Sequence, residues 1–362
     1  MNLLFITHAR LHKPPYGDGS TRYRCFHIAE VARRAGHRAV VRSASTLNSE
    51  DLHYYDLISW SRPVDSRHLH ELLNVAQQRN IVCIADLDDL IVRPDLADQS
   101  PAVINGFTNP HYLQKKFTRH ARAVNLFDAI TTSTDNLKDQ IQSVFPDKPI
   151  ATIANGLSEF WLEHARSISA ENSDSRSIAY LPGTRSHDDD FAGIRDTLIA
   201  WLSDATDRRL DVVGKIDIKT EHWPRAQVTQ RPWTDYYHLP AIINSYCATL
   251  APLSDSVFNR SKSHVKFIES AAMGVPLIAS PIRDIAQHRT TGLLLASDAS
   301  QWLAALDKAG NREFRTENAK DLTDYALEHC MASNFASELV SAWNSGLPLP
   351  QNLPTEPSLR AA

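Results

Sequence analysis

Three groups of residues have the types and spacing to do chemistry. In ADLDDL, the carboxylates Asp86, Asp88 and Asp89 follow the apolar run NIVCI, at the carboxyl end of an expected buried strand. One of them there can take a proton from a hydroxyl, or orient that hydroxyl. In RSKSHVKFIESAAMGVPLIASP, a helix expected from Ser263 to Met273 carries Lys262, Lys266 and Glu269 on one face, with Arg260 just before it. The amino end of a helix dipole is positive, so cations there are a poor choice for stability unless an anion joins them. Backbone N–H groups with Arg260, Lys262 and Lys266 suit a diphosphate, and Glu269 can accept both hydroxyls of a ribose. An ordinary solvated charged face, with Lys266 and Glu269 as a surface pair, fits the same spacing.

The third group is a set of loops after apolar runs. In YLPGTRSHDDDF, Gly183 and Thr184 follow a strand and His187 precedes three acids that open a helix. Such a loop lies where α/β sheets bind ligands, and its acids also serve as ordinary complements of a helix dipole. Lys215 follows LDVVG at another strand end, placed for a phosphate or simply for solvent. Near the start, YGDGSTRYR brings Gly17 and Gly19, whose backbone permits close approach, and Arg22 and Arg24, which suit an anionic acceptor group.

The elements that position these residues alternate. NLLFIT, HRAVVRS, YYDLISW, NIVCIADL, AITTS and PIATIANG read as strands, separated by helical patterns such as FHIAEVARRAG and HLHELLNVAQQ. After the polar stretch SISAENSDSRS the alternation restarts with SIAYLPG, RLDVVGK, QVTQR and CATLAPL. Strands alternating with helices imply parallel sheets covered on both faces. The expected organisation is α/β: a first domain over residues 1–157, a second over 175–330, a C-terminal helix over 331–346 packing back toward the first domain, and a loose proline-bearing tail over 347–362.

Composition narrows the partners. With 38 Lys and Arg against 42 Asp and Glu, and a net charge of -4, there is no excess of cations for a phosphate backbone, so no nucleic-acid partner is expected. The four cysteines lie far apart with no CxxC pair, which reads as reduced thiols and no metal site; no cofactor is expected either. No apolar run reaches the roughly 18 residues that span a bilayer. A cytoplasmic protein is expected, and peripheral contact with the inner face of a membrane stays open.

The segment KFIESAAMGVPLIAS, with TGLLL downstream, resembles the C-terminal half of GT-B glycosyltransferases of the family 4 type. That family's pattern is Glu, seven residues, Glu, then a small residue, Gly, any residue and Pro. Glu269 matches the second Glu, which in the family binds the donor's ribose; the first would fall at Ser261, where the family Glu contacts the donor sugar. Lys262 and Lys266 together with YLPGTRSHDDDF are similar to a branch containing rhamnosyl and other transferases of bacterial surface polysaccharides. The resemblance implies two Rossmann-like domains facing a cleft. The C-terminal domain would bind a nucleotide-diphosphate sugar through Gly183, Thr184, His187, Lys215, Arg260, Lys262, Ser263, Lys266 and Glu269. The N-terminal domain would bind a saccharide or lipid-linked acceptor. Asp86-Leu-Asp88 also matches the metal-binding DxD of the GT-A fold, against which the second α/β domain argues. A nucleotide-sugar epimerase of the same fold and a binding protein without turnover remain the rival readings.

Overall fold

The computed structural model describes residues 1–8, 17–167, 176–183, 185–218 and 222–335. Thr184, most of the polar stretch between the two expected domains, the tail and nearly all of the expected C-terminal helix lie outside them. The described chain divides into two units. One is Met1–Ala97 and Pro110–Gly156 with the described residues from Ala332; the other is Asp98–Asn109 and Leu157–Met331.

The first unit holds a six-stranded parallel sheet: β1 (Asn2–Thr7), β2 (Arg38–Ser43), β3 (Leu57–Ser61), β4 (Val82–Leu87), β5 (Ala129–Thr132) and β6 (Ile150–Thr152), in the order β2-β1-β3-β4-β5-β6. Strands β1, β3, β4 and β5 are buried along almost their whole length because helices cover both faces, while the edge strands β2 and β6 are less so. Leu3, Leu4, Phe5 and Ile6 of β1 are all buried, among them Leu3 and Phe5 in a core with Cys25, Ile28 and Ala29 from the helical segment that follows. Strand order reverses beside β1, so the loops after β1 and β3 leave the sheet on either side of a switch point, where open α/β sheets bind ligands.

The second unit repeats the principle with β7 (Arg176–Tyr180), β8 (Arg208–Val213), β9 (Val228–Arg231), β10 (Ala248–Ala251), β11 (Leu277–Ala279) and β12 (Leu293–Leu295). The order β12-β11-β10-β7-β8-β9 places its switch point between β7 and β10. The loops leaving those two strands are therefore the ones to inspect for ligand chemistry.

Three elements differ from the sequence reading. The helix expected through DDDFAGIRDTLIAWL is two helices, Asp188–Ala192 and Arg195–Asp204, parted at Gly193 and Ile194. The helix of the lysine stretch runs Val265–Ala272, and a separate turn of helix, Val257–Arg260, precedes it. Ser256 caps the start of that extra turn through Asn259 N, and the longer helix begins afresh at His264, whose N–H donates to Asp284. Third, Asp98–Asn109, early in the chain, groups with the second unit: Asn105 accepts from Asp189 N and donates to Ser186 O, so its side chain caps the helix Asp188–Ala192.

Gly274 ends the helix Val265–Ala272 as expected, with φ at +63°. A Cβ there would also lie 2.9 Å from Ala319 O on the long helix Arg312–His329. Backbone strain and collision act together, so Gly274→Ala is expected to lower unfolding free energy by about 2 kcal/mol or more. Urea unfolding followed by circular dichroism measures it, and an unchanged midpoint would contradict the assignment.

Candidate functional site

In the second unit, the switch point is organised by Asp190, a buried acid in the short helix that follows β7. Its carboxylate accepts from His187 Nδ1 at 2.9 Å, Ser254 N at 2.9 Å, Ser254 Oγ at 2.8 Å and Asn259 Nδ2 at 2.7 Å. Ser254 lies just after β10, so one side chain ties together the loops from both switch-point strands. Burial pushes the Asp190 pKa up, but the bonds from His187 and Ser254 outweigh it and hold the group below the ordinary carboxylate value. The ionised acid takes the Nδ1 proton of His187. Burial first, and then the Lys262 charge, pull the His187 pKa down to about 4, so at neutral pH the ring is uncharged with Nε2 an acceptor.

The lysine helix faces the same loops. Lys266 Nζ donates to Leu181 O at 2.5 Å, directly after β7, and stands 5.6 Å from the centre of the Tyr180 ring. Burial lowers its pKa to about 8; Glu269 raises it and Lys262 lowers it further, so the three charged groups feel one another. Phe267, Ile268, Ala271 and Ala272 form the buried side of this helix, while Val265 at its start is only half-buried. Two buried polar atoms of the neighbourhood, Tyr180 Oη and Asn259 Oδ1, have no hydrogen-bond partner among the described residues.

Beside this cluster, Gly214 ends β8 with φ at +139°, and a Cβ there would lie 2.8 Å from Pro182 O. Only glycine lets the two strand ends close in this way. The chain then opens into a cavity of about 550 Å³ lined by Lys215, Asp217, Gln230, Arg231 and Pro232. Lys215 is thus at a strand-end cavity, as its position after LDVVG suggests. Gly183 is exposed, with nothing within 4 Å of the place a Cβ would take.

One donor-site candidate is engaged elsewhere. Arg260 forks Asp255 on the surface, at 2.6 and 2.7 Å. Ser261, where the family pattern has its first Glu, is buried and donates from Oγ to Val257 O, so it closes the turn Val257–Arg260. Ser263 precedes His264, the residue that enters the helix and whose backbone N–H is taken by Asp284 Oδ2 at 2.8 Å.

In the first unit the structure corrects two expectations. Arg24 does not face an acceptor: it is buried, with Nε and Nη2 on Asp86 at 3.0 and 2.7 Å and Nη1 on Ile153 O and Asn155 Oδ1 at 2.5 and 3.0 Å. Asp86 accordingly is not a base; Thr131 Oγ1 at 2.7 Å completes its partners. The pair joins β4, β5, the helical turn Arg22–Phe26 and the segment that follows β6.

The other two acids stay at the strand ends. Asp88 accepts from Arg62 Nε at 2.5 Å, and Arg62 Nη2 lies 3.6 Å from Asp89. Burial pushes the Asp88 pKa up, but the charge of Arg62, with hydrogen bonds from Arg62 and Ser20, keeps it below the ordinary value. Asp88 is therefore ionised and held at the first unit's switch point, between the Gly17–Ser20 loop and the loop after β3. Gly19 begins the helix there, and Arg22 stacks 5.3 Å from the centre of the Tyr23 ring. Arg62 was not a sequence candidate. Its only signal was its place after an apolar strand, and its φ of +49° shows how the fold turns it inward.

The two six-stranded parallel sheets match those of GT-B glycosyltransferases. An alpha-glucosyltransferase solved with UDP and a 13-mer DNA is similar over 95% of this chain and 99% of its own, at 10% identity and a TM-score of 0.65. An alpha,alpha-trehalose-phosphate synthase from Burkholderia vietnamiensis matches over 96% of this chain and 97% of its own, with 11% identity and a TM-score of 0.62. A pneumococcal O-GlcNAc transferase, GtfA, solved with UDP and GlcNAc, gives 14% identity and a TM-score of 0.57 over 83% of this chain. This chain spans 59% of the length of GtfA and 55% of the S. aureus protein TarM. At these identities the likeness establishes the fold, and because one of these structures holds DNA, the fold by itself does not exclude nucleic acid. Residues 195–333 match a family model described as glycosyl transferase-like, so the second unit carries such a domain. No curated protein sequence matches the chain.

Removing one partner of a buried ion pair leaves the other charge stranded. Asp86→Ala is therefore expected to lower unfolding free energy by about 3–5 kcal/mol. Chemical denaturation checks it; a change under about 1 kcal/mol would mean that Arg24 finds other compensation.

Proposed function

We propose that the chain is a glycosyltransferase that moves a sugar from a nucleotide-diphosphate donor to a hydroxyl of a saccharide or lipid-linked acceptor, in bacterial surface polysaccharide synthesis. The observation that carries this reading is the buried Lys266 bonded to Leu181 O at the second unit's switch point, with Lys262 and Glu269 close enough to act on its charge. The glycosyl transferase-like match covers that helix.

On this reading the second unit binds the donor. Lys262 and Lys266 take the diphosphate, on which negative charge grows as the sugar leaves. Glu269 takes the ribose hydroxyls, and the cavity beside Lys215 receives the rest of the nucleoside. Gly183 lets phosphate approach the backbone, and neutral His187 offers Nε2 to a sugar hydroxyl. The first unit binds the acceptor near Gly17, Gly19 and Arg22, with Asp89 as the acid that remains to take or orient the hydroxyl, since Asp88 is held by Arg62. Among the described residues no helix is long and apolar enough to cross a membrane, so a lipid-linked acceptor would be met at the membrane surface.

Ser261 favours attention to a second reading, a nucleotide-sugar-binding protein without turnover. Its side chain turns back to Val257 O and supplies no carboxylate for the donor sugar. Product analysis separates the readings: transfer needs both donor and acceptor, an epimerase converts donor alone, and a binding protein converts neither.

Two predictions follow from the site. Glu269→Ala and Lys262→Ala should each weaken donor binding about tenfold or more on folded protein, measured by calorimetry. Unchanged affinity in both would remove the site from the helix. The second concerns protons. With its pKa lowered to about 8, Lys266 is partly neutral at pH 8.5 in the free protein, and a bound diphosphate restores the charged form. Donor binding at that pH should take up protons and weaken as pH rises. In the free protein the sign is opposite: below pH 8 the buried charge opposes folding, and stability from this group grows as pH climbs from about 8 toward the ordinary lysine value. Calorimetry in buffers of different ionisation enthalpy checks the uptake, which should vanish in Lys266→Met.

A further inference from the structure

The amino ends of the second sheet carry a cationic cavity that the donor reading does not use. Arg176 and Arg208 are the first residues of β7 and β8 and are register partners. In a parallel pair such partners project to the same face, so two cations stand side by side, an arrangement that is unfavourable by itself. Arg312 and Arg315, three residues apart on the helix Arg312–His329, line the same cavity of about 500 Å³.

Arg208 and Arg315 are held in place by neighbouring groups. Arg208 stacks 4.8 Å from the centre of the Trp201 ring and donates to Trp201 O at 2.6 Å and to Asp307 at 3.1 Å. Arg315, buried, donates to Ala309 O and Gly310 O at 3.0 and 2.9 Å, the last carbonyls of the helix Ala299–Gly310. Asp307 also lines the cavity, but the acids here are largely open to water: the side chains of Asp204 and Asp307 beside Arg208 and of Asp207 beside Arg176 are 76, 60 and 64% exposed, and Glu313 is exposed too. Solvent screens them more than it screens the buried arginines. The positive field reaches Cys247: burial pushes its thiol up to about 11, against a downward pull from Arg315 and Arg176.

We propose that this cavity is a second anion site, which binds a phosphate group of a small molecule at the amino edge of the sheet, away from the switch point. A tetrahedral oxyanion can accept from several guanidinium forks at once, and it removes the repulsion between Arg176 and Arg208. The positive amino end of the helix Arg312–His329 adds to the attraction. The five-residue strand β7 separates the cavity from the lysine helix's loop by roughly 16 Å, so the two sites fill independently.

The test is calorimetric titration of the full chain with inorganic phosphate. It uses the wild type, a Lys262→Ala/Lys266→Ala variant and an Arg176→Gln/Arg312→Gln variant. Arg176 and Arg312 are chosen because both reach solvent, so that folding, checked by circular dichroism, survives. Phosphate should bind the wild type and the lysine variant alike, and about tenfold or more weaker to the arginine variant. It should also raise the melting temperature of the first two and not of the third. Equal affinity in the folded arginine variant, or no binding to the lysine variant, overturns the proposal.

Discussion

The second unit depends on one buried acid. Asp190 receives four hydrogen bonds from residues on both sides of the β7/β10 switch point and so joins helix, loop and strand end. A carboxylate so supplied stays ionised inside the protein, and its charge fixes the proton of His187 on Nδ1. The loop after β7 is thereby held at the height where Leu181 O meets Lys266. The neutral His187 imidazole belongs to that network, and the charge of Lys266 lies against the same loop. The first unit has an analogue in Arg24 and Asp86, but there the pair serves strand packing, and Arg62 with Asp88 occupies the switch point instead.

Much of the fold was legible because parallel strands covered on both faces leave unbroken apolar runs, and NLLFIT, YYDLISW and NIVCIADL are such runs. Gly274 was legible because its job is local: it ends the helix Val265–Ala272 with a positive φ. What could not be read was long-range. Arg24 looks like any loop arginine until the fold brings Asp86, 62 residues away in sequence, against it. Asn105 gives no local sign that it caps a helix 84 residues later.

The lysine stretch shows both sides. Spacing put Lys262, Lys266 and Glu269 on one face, and the structure places Lys266 and its charged neighbours at the switch point. Spacing could not show that Arg260 would be drawn to Asp255, nor that Ser261 would close a turn of helix. At Ser261 the hydroxyl is bonded to the backbone carbonyl of Val257, a contact one turn back along the chain.

The central claim is that the β7/β10 switch point and the helix after it bind a nucleotide-diphosphate donor. Hydrogen–deuterium exchange of the full chain, with and without a panel of UDP-, GDP- and dTDP-sugars, tests it most directly. The account predicts that at least one donor slows exchange in 178–190 and 262–272 and leaves the amino ends of β7 and β8 unaltered. Protection confined to the first unit under saturating donor would contradict it, as would no protection by any nucleotide sugar.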